Sequence, residues 1–376
     1  MKIALITNSR IPSLTANSIQ AMKVAQALMQ LDHDVRMFAP VEVDAVSKDS
    51  LLTHYGLRLA PDLEWLPSNR HLKRLDFVLR AHRAARRYGA DLIYTWLPQS
   101  AVFALWSGDR VVLEMHADVA GRMGAWWLRQ FWKTRGRKLM TVTTSALRNV
   151  LEHAARLEFR DEEVIVAPNG VDLERYERLP GPEEARRQLN LPPGPTAGFT
   201  GHIYRGRGAE LLFELAKQMP DVNFLWVGGT ADLVQPWRRK LKEEKVTNVV
   251  MTGFIPHERV PLHQAASDIL LMPYSRSIAA SSGQDIAEVI NPMKMFEYMA
   301  SGRAIVSADL PSIREVLNER NAVFCEPEDV AQWKTSIGSL LSDESRRSRL
   351  ARQAAEDAAG FTWMKREKNI ILTFVS

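Results

Sequence analysis

The order strand, helix, strand, met twice along the chain on either side of a proline-rich stretch, limits the fold more than any other feature. "KIALIT" has strand composition, "NSRIPSLTANS" is loop chemistry, and "IQAMKVAQALMQLDH" spaces Ile19, Met22, Val24, Ala25, Leu28 and Met29 in helical register before the strand "DVRMFAP". Further strand-like runs occur at "DLIYTWL", "RVVLEMH", "LMTVTTS" and "EEVIVAPNG". Residues 179–195 then place five prolines and two glycines around one short charged helix, which is how a linker reads. The alternation restarts beyond it with "TAGFTG", "NFLWVGG", "VVMTGFI", "ILLMPYS" and "AIVSAD", separated by helical segments. An α/β chain of two Rossmann-like, doubly wound parallel-sheet domains facing a cleft is expected. The first domain covers 1–178, the linker 179–195 and the second domain 196–360, with 361–376 crossing back to complete the first. A length of 376 residues agrees, since one core rarely keeps growing to that size.

Composition narrows the class. With 46% hydrophobic and 25% charged residues the chain is ordinary for a globular protein, and its one cysteine, Cys325 in "NAVFCEPED", excludes an intrachain disulfide. A buried structural thiol is the simpler reading of it. The N-terminus is too short in apolar residues for a signal segment, and the longest apolar stretch, Leu92 to Trp106, is broken by Pro98, Gln99 and Ser100. A cytoplasmic location is expected. The net charge of +5 is uneven: residues 70–87 hold seven Lys/Arg and one Asp, and residues 121–138 hold six Lys/Arg and no acid. Each segment is therefore +6, and the remainder is −7 (5 − 12).

Two stretches of the second half carry chemistry. In "TAGFTGHIYRGRGAELLFELA" a strand runs into a loop holding His202, Arg205 and Arg207 among glycines, and a helix starts near Gly208. Unpaired N–H groups and the helix dipole favour phosphate at such a place, and arginine adds bidentate bonds. A solvated basic turn is the plain alternative. About ninety residues on, "EVINPMKMFEYMASGRAIVSADLPSIREV" places Pro292 at a helix start, Met293, Phe296, Met299 and Ala300 toward a core, and Gly302 at the C-terminal end. Lys294 and Glu297, three apart, share the other face and can meet one ligand; a surface ion pair is the plain alternative.

These stretches resemble the signature of glycosyltransferase family 4, retaining enzymes of the GT-B fold. "K-x-x-E-x-M-A-x-G-x-x-I-V" and "G-[RH]-x-x-x-x-[KR]-G" are both matched, at the family's separation. "VAPNGVDLERY", "GFIPHERVPLHQAASDILLMPYS" and the C-terminal "FTW" extend the likeness along the whole chain. The resemblance implies that His202, Arg207 and Lys294 contact a donor diphosphate and that Glu297 holds the ribose hydroxyls. It also implies that backbone from Ile290 through Asn291 and Pro292 approaches the sugar and that Gly253 and Phe254 lie near the nucleobase. The family's usual first glutamate, eight residues before Glu297, is here Val289. Either Glu288 takes its place after a local shift, or the chain follows the subgroup lacking that glutamate; the second reading is favoured.

In the first half, Asn17 and Ser18 stand at a helix start, where they either cap the helix or reach a donor phosphate. His116 ends the strand "VVLEMH", beyond whose carboxyl end ligands bind in such sheets. The resemblance gives it a place close to the donor sugar. Glu114 is positioned to orient it, and Ser145 follows the next strand. "RMGAWWLRQFWKTRGRK" interleaves Trp126, Trp127, Phe131 and Trp132 with Arg129 and Lys133, which suits an interfacial helix on the inner face of the cytoplasmic membrane. In "RHLKRLDFVLRAHRAARR", Leu72, Leu75, Val78 and Leu79 line one side. A solvated face with core tryptophans is the plain alternative, and nucleic acid is not expected.

The resemblance thus implies transfer of a sugar from a nucleotide diphosphate to a hydroxyl of a glycan or lipid-linked saccharide, with retention. His116, Arg207 and Lys294 are the catalytic candidates. Neither cofactor nor metal is expected, since no Asp-x-Asp of the kind that holds a divalent metal on a nucleotide sugar is present. A nucleotide-sugar epimerase and a non-catalytic scaffold of glycan assembly are the rival readings. A dehydrogenase is disfavoured, because no G-x-G-x-x-G follows the first strand.

Overall fold

A computed structural model describes residues 1–40, 46–72, 74–119, 121–279 and 285–376; Lys73 and the Arg70 side chain, both in the first basic segment, lie outside the described residues. The chain divides into two compact units, Met1–Asn169 with Trp363–Ser376, and Gly170–Thr362. Each is a parallel sheet with helices packed on it.

The first unit holds β1 (Lys2–Ile6), β2 (Asp34–Pro40), β3 (Asp62–Leu66), β4 (Leu92–Thr95), β5 (Val111–Met115), β6 (Lys138–Val142) and β7 (Val164–Val166). Their order is β3-β2-β1-β4-β5-β6-β7, every pair parallel. β1, β4, β5 and β6 are nearly continuous runs of buried residues, as strands covered on both faces must be. The order reverses between β1 and β4, which opens a crevice at their carboxyl ends. The last helix, Trp363–Val375, packs on the helix Ala16–Gln30 of this unit.

The second unit holds β8 (Thr196–Thr200), β9 (Asn223–Val227), β10 (Val249–Gly253), β11 (Ile269–Met272), β12 (Ala304–Ala308) and β13 (Val323–Cys325), in the order β10-β9-β8-β11-β12-β13 and again all parallel. Its reversal lies between β8 and β11. Cys325 is fully buried, with Ser336 Oγ 3.2 Å from its sulfur, and burial pushes the thiol pKa up.

The stretch expected as a linker is instead part of the second unit. Its helix Pro182–Gln188 buries Ala185 among Leu225, Val227, Ala265 and Ala266. Arg186 donates to the Ala266 carbonyl at 2.9 Å and to Asp268 at 3.1 Å. Proline here starts a helix and shapes turns; it does not loosen the chain. The units divide at Asn169/Gly170, and Phe361 stays in the second, where its carbonyl accepts from Val171 N at 2.9 Å.

The loop after β8 reaches the loop after β11 at Gly208, which caps the helix Ala209–Gln218 with φ +87°. A Cβ there falls 2.0 Å from the Pro273 carbonyl oxygen. Glycine is required both for the left-handed conformation and for the close approach. Gly208→Ala should cost about 1–3 kcal/mol of stability in urea unfolding. An unchanged transition would show that the loop yields without strain.

Candidate functional site

At the reversal between β8 and β11, two elements bring cations to one place. Arg207 comes from the loop after β8. Its guanidinium carbon lies 5.5 Å from the Tyr274 ring centroid, and Nη1 is 3.5 Å from the Tyr274 hydroxyl. Lys294 comes from the second position of the helix Met293–Ala300, which Pro292 caps; Pro292 stands one place before the first turn rather than within it. The Lys294 ammonium lies 3.9 Å from the centre of the Phe199 ring and 5.3 Å from that of Tyr274. Gly201, at φ +128°, leaves it room, because a Cβ there falls 3.0 Å from Nζ.

Lys294 is only 9% exposed, and its Nζ has no hydrogen-bond partner among the described residues. Burial drives its pKa well down, Arg207 lowers it further, and Glu297 opposes both. A buried ammonium without an acceptor is costly in an unliganded protein. The aromatic faces recover part of that cost.

Glu297, one turn on, is buried and ionised. Burial alone raises a carboxyl pKa, but His257 and Arg175 outweigh it and hold the group at about 2. Oε1 lies 2.8 Å from His257 Nε2, and Gln264 Nε2 reaches Oε2 at 3.3 Å. His257, Gln264 and Arg175 are site residues that the sequence reading did not single out, although His257, Gln264 and Arg175 stand in "GFIPHERVPLHQ" and "NGVDLERY".

His202 stacks on Tyr204 at 5.1 Å in the β8 loop. Gly253 ends β10 at φ +71°, its carbonyl accepting from Gly228 N at 3.0 Å, and Phe254 beside it is exposed. The 3₁₀ turn Ala287–Val289 buries Val289 and Ile290 in the core and leaves Glu288 exposed. The position of the expected glutamate is thus an apolar core position. Asn291 and Pro292 are half-buried between that turn and the helix.

In the first unit, an open cavity of about 1410 Å³ lies at the carboxyl ends of β1, β4 and β5. Asn8, Asn17, Glu114 and His116 line one part of it, and Met123 and Trp126 line another. Asn17 is exposed there. Ser18 is not: Thr15 caps the helix, and Ser18 Oγ is buried 2.9 Å and 3.0 Å from the carbonyls of Thr15 and Ser13. Its hydroxyl is engaged locally, so it cannot reach a ligand.

Glu114 is the acceptor that organises this end. Oε1 takes Gln20 Nε2 at 2.6 Å, Arg366 Nη2 at 2.5 Å and His116 Nε2 at 2.5 Å; Oε2 takes the Tyr94 hydroxyl and Arg366 Nη1 at 3.4 Å. Burial opposes ionisation, but Arg366 and His116 prevail and hold the pKa down. An ionised carboxylate only accepts, so His116 donates from Nε2 and turns Nδ1 elsewhere. Burial lifts the adjacent Glu367 above the ordinary carboxyl range against the pull of Arg366, which pairs with both acids.

The expected membrane set divides. Trp126 is exposed, and Trp127 packs on it at 4.6 Å and on Trp106 at 6.1 Å. Met123, Trp106, Leu72, Leu75 and Leu79 are exposed as well. Phe131 and Val78 are fully buried, Trp132 stacks on Phe159 at 4.4 Å, and Arg129 turns inward to the Ala155 carbonyl at 2.8 Å. These four therefore belong to the core side of their helices. Lys133 is exposed. No described helix is long and apolar enough to cross a membrane. Among the described residues, no group of three His, Cys, Asp or Glu is placed to hold a metal.

Comparison with known proteins adds the following. Residues 194–343 match a family described as glycosyl transferases group 1, and residues 18–175 match glycosyltransferase family 4. A 2-deoxystreptamine glucosyltransferase of Streptomyces kanamyceticus is 26% identical over 61% of this chain and 57% of its own. A GDP-mannose-dependent phosphatidylinositol monomannoside mannosyltransferase of Mycolicibacterium smegmatis is 24% identical over 88% of this chain and 85% of its own. The chain spans about a third to somewhat over half the length of the first curated relatives it matches. HepE of Anabaena, solved with UDP, superposes over the whole of both chains with a TM-score of 0.77 at 18% identity. With the two parallel sheets, this likeness gives the GT-B fold.

Two outcomes follow from the electrostatics. Lys294→Met removes an unpaired buried charge, so the ligand-free protein should gain about 1 kcal/mol or more against urea; a loss would mean that the ammonium is paired. Glu297 has a folded pKa below its unfolded one, so its contribution is full above about pH 4.5 and is lost as pH falls toward 2. Glu297→Gln should therefore flatten the acid limb of stability between those values, and an unaltered slope would contradict the assigned ionisation.

Proposed function

We propose that this chain, which belongs to the group 1/family 4 glycosyltransferases, moves a sugar from a nucleotide diphosphate to a hydroxyl of a glycan or lipid-linked saccharide. The observation that carries this is the buried, unpartnered ammonium of Lys294 beside Arg207, with the ionised Glu297 one turn away. A diphosphate supplies the anion that Lys294 lacks, and the adjoining ribose supplies hydroxyls to Glu297. Solved relatives include a complex with UDP-glucose, which supports a nucleotide-sugar donor here.

In the proposed reaction the bond from the anomeric carbon to the diphosphate oxygen breaks as charge builds on the leaving group. Lys294, Arg207, His202 and the start of the helix Met293–Ala300 stabilise that charge. The acceptor oxygen bonds to the same face, giving retention, and its proton passes to the departing phosphate. The site needs no metal in this scheme, because side-chain cations supply the positive charge. His116, fixed through Nε2 by Glu114, offers Nδ1 as an acceptor for a sugar hydroxyl. Asn17 lies exposed in the same cavity as His116.

The acceptor end is proposed to lie in the first unit's cavity, where Asn8 and His116 suit a saccharide and Met123, Trp126 and Leu75 suit an apolar anchor. Exposed Trp106, Trp126, Leu72 and Leu79 amid Arg83, Arg86 and Arg87 favour contact with the anionic inner face of the cytoplasmic membrane.

Thermal melting with UDP-, GDP- and ADP-sugars tests the donor. One class should raise the transition, with ~2.7 kcal/mol of stabilisation at 100 times its dissociation constant, and Lys294→Met should abolish the response. Silence toward all three sinks the assignment. For the membrane, a Trp106→Ser, Trp126→Ser double variant should sediment with anionic liposomes at least about fivefold less than wild type. Equal sedimentation of the two proteins would remove these tryptophans from the contact.

A further inference from the structure

Glu297 is held by a chain of contacts that runs through His257 to Arg175. Arg175 Nη1 lies 3.1 Å from His257 Nδ1, a second guanidinium nitrogen donates to the His257 backbone carbonyl, and His257 Nε2 lies 2.8 Å from Glu297 Oε1. A guanidinium has donors and no acceptor, so Nδ1 carries no proton and accepts. The ionised carboxylate has acceptors and no donor, so Nε2 carries the proton and donates. Only one form of the imidazole satisfies both neighbours.

We infer that Arg175 and His257 are positioning residues for the diol-binding carboxylate: Arg175 engages His257 Nδ1 as an acceptor, and the Nε2–H that this leaves holds Glu297 in place as an acceptor. The identity of what Glu297 binds rests on the donor reading above; the tautomer rests on the geometry alone.

Gln264 holds Oε2 from the other side, so each carboxylate oxygen is oriented by one neutral N–H and keeps lone pairs for a hydroxyl.

The tautomer is read from ring ¹⁵N resonances of the histidine-labelled full chain without nucleotide, with His257 assigned by its loss in His257→Gln. Wild type should show the Nε2–H form at about pH 7.5, and Arg175→Leu should lose that fixed tautomer, with ring shifts averaged over both nitrogens. The role is read with whichever of UDP-glucose, GDP-mannose or ADP-glucose shifts the melting transition. His257→Leu should raise the donor KM about tenfold or more with kcat largely kept, while His257→Gln, whose amide can donate to Glu297, should stay within about threefold of wild type. The matching 2′,3′-dideoxy nucleotide should bind wild type and His257→Leu alike. A wild-type His257 whose proton sits on Nδ1 or is shared between the ring nitrogens, or leucine and glutamine variants with equal KM, in a protein that binds a nucleotide sugar, overturns the inference alone. A fixed tautomer in a protein that answers to no nucleotide sugar overturns the donor reading and this role with it.

Discussion

A single ammonium with no acceptor sets the terms for the second unit. Lys294 is carried inward by a helix whose other face packs Met295, Phe296 and Met299 into the core, so it cannot swing out to water without unpacking that helix. Its neighbours are ring faces, a guanidinium and a carboxylate that already serves two other donors. Each is tolerable separately. Together they leave a desolvated cation that a polyanion can satisfy and water cannot easily reach, which is the preorganised charge that departure of a diphosphate requires.

The two units reach the same solution with different parts. Each fixes one buried, ionised carboxylate by several donors, Glu114 in the first and Glu297 in the second, and each uses that carboxylate to settle a histidine's proton on Nε2. In both, an arginine distant in sequence makes the arrangement stable, Arg366 from the final helix for Glu114 and Arg175 for His257. Glu367 absorbs the remaining conflict by being held above the ordinary carboxyl range, since two adjacent buried carboxylates and one guanidinium cannot all stay charged cheaply.

Local spacing made some of this legible. The i, i+3 placement of Lys294 and Glu297, the glycine–arginine loop and the doubly wound order all follow from short segments, and the structure brings Arg207, Lys294 and Glu297 together. Other parts depend on packing between distant segments. Arg175 and His257 are 82 residues apart, and Arg366 is 252 from Glu114, so no local pattern links them. β3 and β13 were missed because their burial is mixed and short. The aromatic helix misled for a geometric reason. Trp126 and Phe131 are five residues apart, about 140° around a helix, so one faces out when the other faces in. Prolines at 180, 182 and 192 suggested a linker, whereas Ala185 and Arg186 anchor that stretch to the second unit.

The most direct test of the central claim is proton uptake. Calorimetric titration of the nucleotide sugar that stabilises the protein, at several pH values from about 7 to 9 in buffers of different ionisation enthalpy, counts protons taken up on binding; the donor's diphosphate diester does not itself titrate there. A Lys294 pKa lowered by burial must rise when a diphosphate reaches it. Net proton uptake in wild type within that range, absent in a Lys294→Arg protein that still binds, is the predicted result. Binding with no proton uptake in wild type at any of these pH values would show that the Lys294 pKa does not move on binding, and would contradict the account.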